Sequence, residues 1–440
     1  MFMRFYLLHL RLNGIKNISK EIEFDFYNKI ITSFNPDLYK IKAIYGENGS
    51  GKTAVMTAVN IAKKVMLSPD YLRQTETQTL LGEIINKKNN EFFIEFEFVR
   101  CEDDDNSDLD LFRYSMTLSK DRNDQYLIGH EKLDVIRKYT RNKKYKKLYE
   151  TENGQLIYVE AEDPVASKVK EATQNILDDK TVATAVLEKN LKLTGLTFDI
   201  ITLLLFFFYI NVYLDEEDLH EMYLMNRILG ALKKSGKSNN FTAIGSLIDK
   251  QLFYMDSKGR DIVNKKDYAQ YRKKVARLEK FLKIFKTDLK SLKIDRRDDG
   301  DCYRCELLLD YGDYSVNREF ESTGIKKLIR IYDAMSNVDR GGISFIDEMD
   351  SNLNDVYLCK LIEYFKYYAK GQLCFTTHNL DPMTILKDNR NSIDFLISDN
   401  RVVSWKITGN AAPDRYYRNG MIEHSPLNVD AIDFIGMFGE

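Results

Sequence analysis

Only six prolines occur in 440 residues, and no internal repeat or low-complexity tract is present. With 44% apolar and 30% charged residues, that scarcity excludes a disordered or linker-like chain. It leaves apolar material for a large core in two lobes or one elaborated domain. Cysteine is also scarce: the five at 101, 302, 305, 359 and 374 make no disulfide framework. That suits a reducing compartment, so the expected location is the cytoplasm. Cys302 and Cys305 lack the second pair that a zinc site needs. In a strand, positions three apart face opposite sides, so both read as packing thiols. An excess of one charge is missing as well. Lys and Arg number 65 against 67 Asp and Glu, so any nucleic-acid contact must come from a local patch. No apolar run reaches the ~20 residues of a membrane span. The longest, Ile200 to Leu214, carries Thr202 and Asn211 and reads as a buried or interface helix. No signal peptide is visible, because the opening LLHLRLNGI alternates apolar and polar as a strand does.

What is present is a change of pattern along the chain. Residues 1–124 read as β-rich, with strands over 3–12, 21–27, 40–45, 91–99 and 111–118 and a helix from Thr53 to Val65. Residues 125–289 turn lysine-rich and mainly helical by period, and read as an insertion or oligomerisation region. Within it Tyr271, Val275, Leu278, Leu282, Phe285 and Leu289 form a coiled-coil-like seam, which fits a short hairpin or interface helix. From 290 to 440 strands return and then alternate with helices: a helix over 325–336, strand 343–346, helix 355–369, and strands 372–377 and 393–398. The order predicts an α/β fold whose mononucleotide-binding core is split by a long, mostly helical insertion.

Three stretches carry chemistry. The strand IKAIYG runs into Gly46-Glu-Asn-Gly-Ser-Gly51-Lys52-Thr53 and then a helix, the pattern of a phosphate loop. Gly46, Asn48, Gly49, Ser50, Gly51 and Ala54 would offer backbone N–H groups to the phosphates, and Lys52 would reach the β and γ oxygens. The Thr53 hydroxyl would ligate Mg²⁺. Next, Gly342-Ile-Ser-Phe-Ile-Asp347-Glu348 is a short buried strand delivering two carboxylates to the sheet edge where phosphates lie. Asp347 would hold the Mg²⁺ shell and Glu348 would polarise the attacking water. Finally, Gln372-Leu-Cys-Phe-Thr-Thr-His378 is the following strand and ends in a lone histidine. His378 fits a γ-phosphate sensor beside the acids, although a histidine at a strand end is often only structural.

A fourth stretch, Phe320-Glu-Ser-Thr-Gly324, opens a helix whose apolar face is Ile325, Leu328, Ile329, Tyr332 and Met335. Ser322 or Thr323 is a natural cap. The same helix start also offers free N–H groups, a hydroxyl and a positive dipole end, which suit a terminal phosphate. One loop already serves the chain's own nucleotide, so Ser322 and Gly324 would serve the nucleotide of a facing subunit.

GENGSGKT, ESTG, FIDEMD and TTHN, in that order around a helical insertion, resemble the ABC-type ATPases of the SMC, RecF and OLD-like group. Within it the chain is similar to the stand-alone ATPase subunits of bacterial anti-phage systems such as PARIS and Septu. The resemblance covers both ends of the chain well and the middle poorly. It implies ATP and Mg²⁺ as cofactors and a homodimer with composite sites. It also implies a separate effector, a Toprim-type or other nuclease, and no membrane. The family's signature serine falls on Ser322, its glycine on Gly324, its switch histidine on His378, and the loop after the acids on Asp350–Leu353. Two departures stand out: Ser-Thr-Gly replaces Ser-Gly-Gly, and Asn354 stands where the SMC group usually has Asp. The family's glutamine loop is not placed. OLD nucleases carry a Toprim domain after the ATPase. Here 92 residues follow Glu348, which leaves no room for one.

The run RKYTRNKKYKK at 137–147 holds seven cations interleaved with Tyr139 and Tyr145. It fits a nucleic-acid backbone, an acidic protein partner or a solvated loop. The expected function is therefore an ATPase whose nucleotide-driven assembly gates an effector in phage defence. The alternatives are a RecF- or SMC-like DNA clamp and a scaffold that binds ATP and scarcely hydrolyses it.

Overall fold

A computed structural model describes residues 4–27, 34–101, 109–139, 143–160, 166–173, 179–188, 195–214, 253–255, 260–389, 391–406 and 412–422. The chain starts with β1 (Arg4–Asn13), β2 (Ile22–Asp25), β3 (Ile41–Tyr45), α1 (Lys52–Leu67) and α2 (Thr75–Ile84). An antiparallel meander follows: β4 (Glu91–Cys101), β5 (Leu109–Lys120), β6 (Tyr126–Ile136), β7 (Lys146–Glu152) and β8 (Gln155–Val159). Then α3 (Ala166–Thr173), α4 (Val182–Glu188) and α5 (Leu196–Tyr209) lead into β9 (Ile210–Tyr213). A small lobe holds β10 (Phe253–Met255), β11 (Asp261–Asn264), α6 (Tyr268–Phe285), β12 (Ser291–Asp299), β13 (Cys302–Asp310) and β14 (Ser315–Asn317). The last part alternates α7 (Thr323–Asp339), β15 (Ile343–Ile346), α8 (Asp355–Tyr368), β16 (Gln372–Thr376), α9 (Asp381–Leu386), β17 (Ile393–Ile397), β18 (Arg401–Ser404) and α10 (Pro413–Arg418).

The sheet that positions the site runs β18-β17-β3-β16-β15-β9, parallel except for β18. Strands β3, β15, β16 and β17 are buried at every position, which is why they read as continuous apolar runs. Their residues alternate between two cores. Ile44, Phe345, Cys374 and Leu396 face α1, α5 and the antiparallel sheet. Ala43, Tyr45, Leu373, Phe375 and Phe395 face α7 and α8. The chain is an α/β protein with a phosphate-loop core, as the element order predicted.

The second sheet, β2-β1-β4-β5-β6-β7-β8, is antiparallel throughout. In β4 the alternation is plain: Phe92, Ile94, Phe96 and Phe98 are fully buried while Glu95 and Glu97 sit on the other face. Phe98 stacks on Phe206 of α5 at 3.8 Å between ring centroids.

Two expectations change here. Residues 126–136, 146–152 and 155–159 are not helical; they form β6, β7 and β8. Bulged residues, Gly129 in β6 and Leu148 in β7, which the pairing skips, break the period-2 pattern and hid these strands. The apolar run 200–214 is also not one helix. It is helical and buried to Phe207, the helix ends at Tyr209, and Ile210–Tyr213 becomes a strand parallel to β15. Ile-Asn-Val-Tyr is rich in strand formers, and the edge of β15 supplies the partner. The seam on α6 packs within the chain: Tyr271, Val275, Leu278 and Leu282 lie against Cys305, Leu307 and Leu309 of β13 and Ile325 and Leu328 of α7. Cys305 is a packing thiol, as expected. Among the described residues, no helix is long and apolar enough to cross a membrane.

Candidate functional site

The phosphate loop leaves the end of β3 and enters α1 at Lys52. Gly46 has no room for a side chain, since a Cβ there would lie 2.3 Å from the Leu396 carbonyl oxygen. Gly51 adopts φ +111°, which disfavours any residue with a Cβ. It stands at the N-cap of α1 without a side-chain cap, so the first amides of the helix, from Lys52 to Ala54, remain available to an anion. The Ser50 hydroxyl is buried without a protein partner. Asn48, Gly49 and Thr53 are exposed. Lys52 is buried, and its ammonium donates to the carbonyls of Gly46 at 2.8 Å and Glu47 at 2.9 Å. Burial lowers the pKa of Lys52, and Asp347, Glu348, Asp350 and Glu47 oppose that shift. The acids therefore lie close enough to be felt by the loop cation.

Those acids follow β15. Asp347 is held from every side: its N–H donates to the Tyr213 carbonyl of β9 at 2.8 Å, and its own carbonyl accepts from Lys327 Nζ at 3.2 Å. Its Oδ1 accepts from Thr376 Oγ1 at 2.7 Å. Glu348 follows with φ +44°, an uncommon backbone for a residue with a side chain, and its N–H donates to the same Thr376 oxygen at 2.7 Å. His378 is exposed just past β16. The N–H groups of His378 and Asn379 both donate to Asp350 Oδ2 at 3.2 Å. Because β3 pairs with β16 and β16 with β15, the loop, the acids and the histidine leave one edge of one sheet together.

Ser322 and Gly324 sit elsewhere, at the start of α7. The Ser322 hydroxyl caps the helix by accepting from Ile325 N–H at 3.4 Å, and the residue is exposed. A Cβ on Gly324 would lie 3.3 Å from the Asn352 carbonyl, so the helix start abuts the loop after the acids. Asn354 caps α8 through Val356 N–H at 2.9 Å.

Sequence reasoning missed three contributors. Asn17, in the turn after β1, donates from Nδ2 to the Gly49 carbonyl at 2.5 Å, and the neighbouring Ile18 packs on Gly51. Lys327 and Thr376 brace the acids as described. Nothing local marks Asn17, whereas Thr376 is visible once β15 and β16 are aligned side by side.

The basic run is largely spent within the chain. Arg137 pairs with buried Asp199, Lys146 with Glu160 and Lys147 with Glu150. Lys143 donates to the carbonyls of Arg137 and Lys138, and Tyr145 lies 4.0 Å from the Arg113 guanidinium. Residues 140–142 are outside the described residues.

No family model matches the chain, and neither does any curated protein. Among solved structures it is similar to an SMC head bound to the C-winged helix domain of ScpA, at 14% identity over 91% of this chain and 97% of that one, with TM-score 0.41. It is also similar to the SMC head domain from Thermotoga maritima, at 14% identity over 91% of this chain and 99% of that one, with TM-score 0.33.

Proposed function

We propose that this chain is a Mg²⁺-dependent ATPase of the ABC type whose copies assemble through shared nucleotide sites. The observation that carries the reading is the convergence of the phosphate loop, Asp347, Glu348 and His378 on the edge of three adjacent parallel strands. The open space at Gly49, the open start of α1 and the orphaned Ser50 hydroxyl fit a phosphate chain. Thr53 and Asp347 are hard oxygen donors of the kind that hold Mg²⁺. That ion, when bound, neutralises charge on the β and γ oxygens. Lys52 would leave its two carbonyls for those oxygens. Glu348 would orient a water and take its proton as the water attacks the γ-phosphorus, and His378 would contact the γ-phosphate. Ser322 and Gly324 would close the site of a facing copy.

Glu348→Gln should still bind Mg²⁺-ATP while turnover drops by about 10²–10⁴-fold, the usual worth of a general base. Lys52→Ala should lose ATP binding itself. Steady-state hydrolysis together with titration of a fluorescent ATP analogue checks both. A Gln variant turning over at the wild-type rate would remove Glu348 from the role.

The motif order supports a finer reading, in which a cytoplasmic ATPase controls a separate nuclease effector in phage defence. A plaque assay with the chain and its genomic neighbours tests this. Protection should vanish with Lys52→Ala and with loss of an adjacent nuclease gene. The DNA-clamp alternative draws on residues 137–147, three of whose cations are ion-paired within the chain.

A further inference from the structure

Thr376 stands at the end of β16, fully buried, with its hydroxyl between the two acids. That one oxygen donates to Asp347 Oδ1 and accepts from Glu348 N–H, both at 2.7 Å. A hydroxyl can do both at once; a valine of the same shape can do neither. The two bonds act on different degrees of freedom. The first removes rotation of the Asp347 carboxylate and occupies Oδ1. The second holds the backbone of Glu348 at φ +44°, which sets the direction in which its side chain leaves the chain. The Met349 N–H donates to the Thr376 carbonyl at 2.9 Å, so the turn is fastened to β16 at successive points. His378 lies two residues further along the same segment.

We propose that Thr376 is a positioning residue for hydrolysis, orienting Asp347 toward the metal and Glu348 toward the water through a single hydroxyl. The proposal rests on the ATPase reading of the site. It goes beyond that reading by making the aim of both acids depend on the strand that carries the histidine. Outer partners of a metal ligand typically contribute 10–100-fold in metal affinity or activity, and an orienting group at the end of β16 falls in that class.

The test compares Thr376→Val, which removes the hydroxyl, with Thr376→Ser, which keeps it. Two readouts are followed: the Mg²⁺ concentration needed for tight binding of a fluorescent ATP analogue, and kcat against KM for ATP. For the Val variant the Mg²⁺ midpoint should rise by about 10-fold or more and kcat should fall by about 10–100-fold. KM for ATP at saturating Mg²⁺ should change by less than about 3-fold, since the phosphate loop is untouched. The Ser variant should return both readouts to within about 3-fold of wild type. A Val variant with wild-type Mg²⁺ midpoint and kcat overturns the proposal. So does a Ser variant as impaired as the Val variant, which would mean that the methyl packing matters and the hydroxyl does not. If the Val variant does not fold, Thr376→Cys, which lacks the methyl as serine does and carries only a weak donor, is compared with Thr376→Ser in the same two readouts. Failure of the ATPase reading is separable: a wild-type chain that binds Mg²⁺-ATP without hydrolysing it refutes that reading, while the Mg²⁺ midpoints of the variants still decide the role of Thr376.

Discussion

Glu131 shows how much a single residue can be asked to do away with solvent. It is buried on β6, where Oε1 accepts from the hydroxyls of Tyr149 at 2.8 Å and Tyr114 at 3.2 Å. Its Oε2 accepts from Val182 N–H at 3.0 Å, which ties the start of α4 to the sheet. Burial pushes its pKa from 4.5 up to about 7, and the three bonds only partly offset that. Between those two values the folded chain holds a proton that the unfolded chain has released. Stability therefore falls as pH rises through this window and levels off above about 7. Glu131→Gln keeps the shape and lets the amide donate to the tyrosines while its oxygen still accepts from Val182. The variant should be more stable than wild type at pH 8, by up to roughly 3 kcal/mol, and nearly equal at pH 5. Urea midpoints at the two pH values check this, and equal pH slopes for both proteins would contradict it.

At the scale of elements, the segment entering β7 is better explained by α5 than by a nucleic-acid partner. Asp199 of α5 is fully buried, and burial pushes its pKa up to about 6 against the pull of Arg137. The Arg137 guanidinium donates to both carboxylate oxygens, one bond being 3.1 Å. Removing the partner leaves an acid in the interior that can be relieved only by taking up a proton. Arg137→Ala should therefore cost about 2 kcal/mol, discounted because Arg137 itself is half-exposed. Lys144→Ala, on an exposed side chain in the same run, should cost nothing measurable. Thermal melts compare the two. In gel shifts at low salt neither change should alter retention of duplex DNA, and a loss with Lys144→Ala would restore the nucleic-acid role.

For the whole molecule the decisive question is whether one copy completes the site of another. Ser322 is exposed at the head of α7, where it caps its own helix, and Gly324 two residues on abuts the loop after the acids. Ser322→Arg should leave ATP binding by Lys52 and Thr53 largely intact and still stop hydrolysis, because the bulky cation would block a facing γ-phosphate. Mixing it with Lys52→Ala protein then separates the models. In a mixed dimer one composite site collects both defects and the other is built from intact halves, so hydrolysis should return. A signature acting within its own chain gives no such rescue. Nucleotide occupancy measured in the same mixture distinguishes an absent shared site from two sites that must fire together.

The groups at the sheet edge are legible in the primary structure: a phosphate-loop pattern after one buried strand, two acids after a later one, and a histidine after the strand that follows those acids. Each is written in a short contiguous stretch, because a tight turn, a buried strand end and a helix start are locally encoded. The β-rich ends, α1 and the alternation after residue 320 were legible for the same reason. The place of the middle of the chain is set by contacts distant in sequence. The strands at 126–136, 146–152 and 155–159 went unread because bulges interrupt the alternation that would announce them, and Ile210–Tyr213 left its helix because β15 offered an edge. Likewise only folding brings Thr376 against Asp347 and Glu348, 29 and 28 positions away, and Asn17 against Gly49, 32 positions away. Contacts between strands that are neighbours in space and distant in sequence leave no periodic trace, so the partners of the edge residues emerge only once the sheet is assembled.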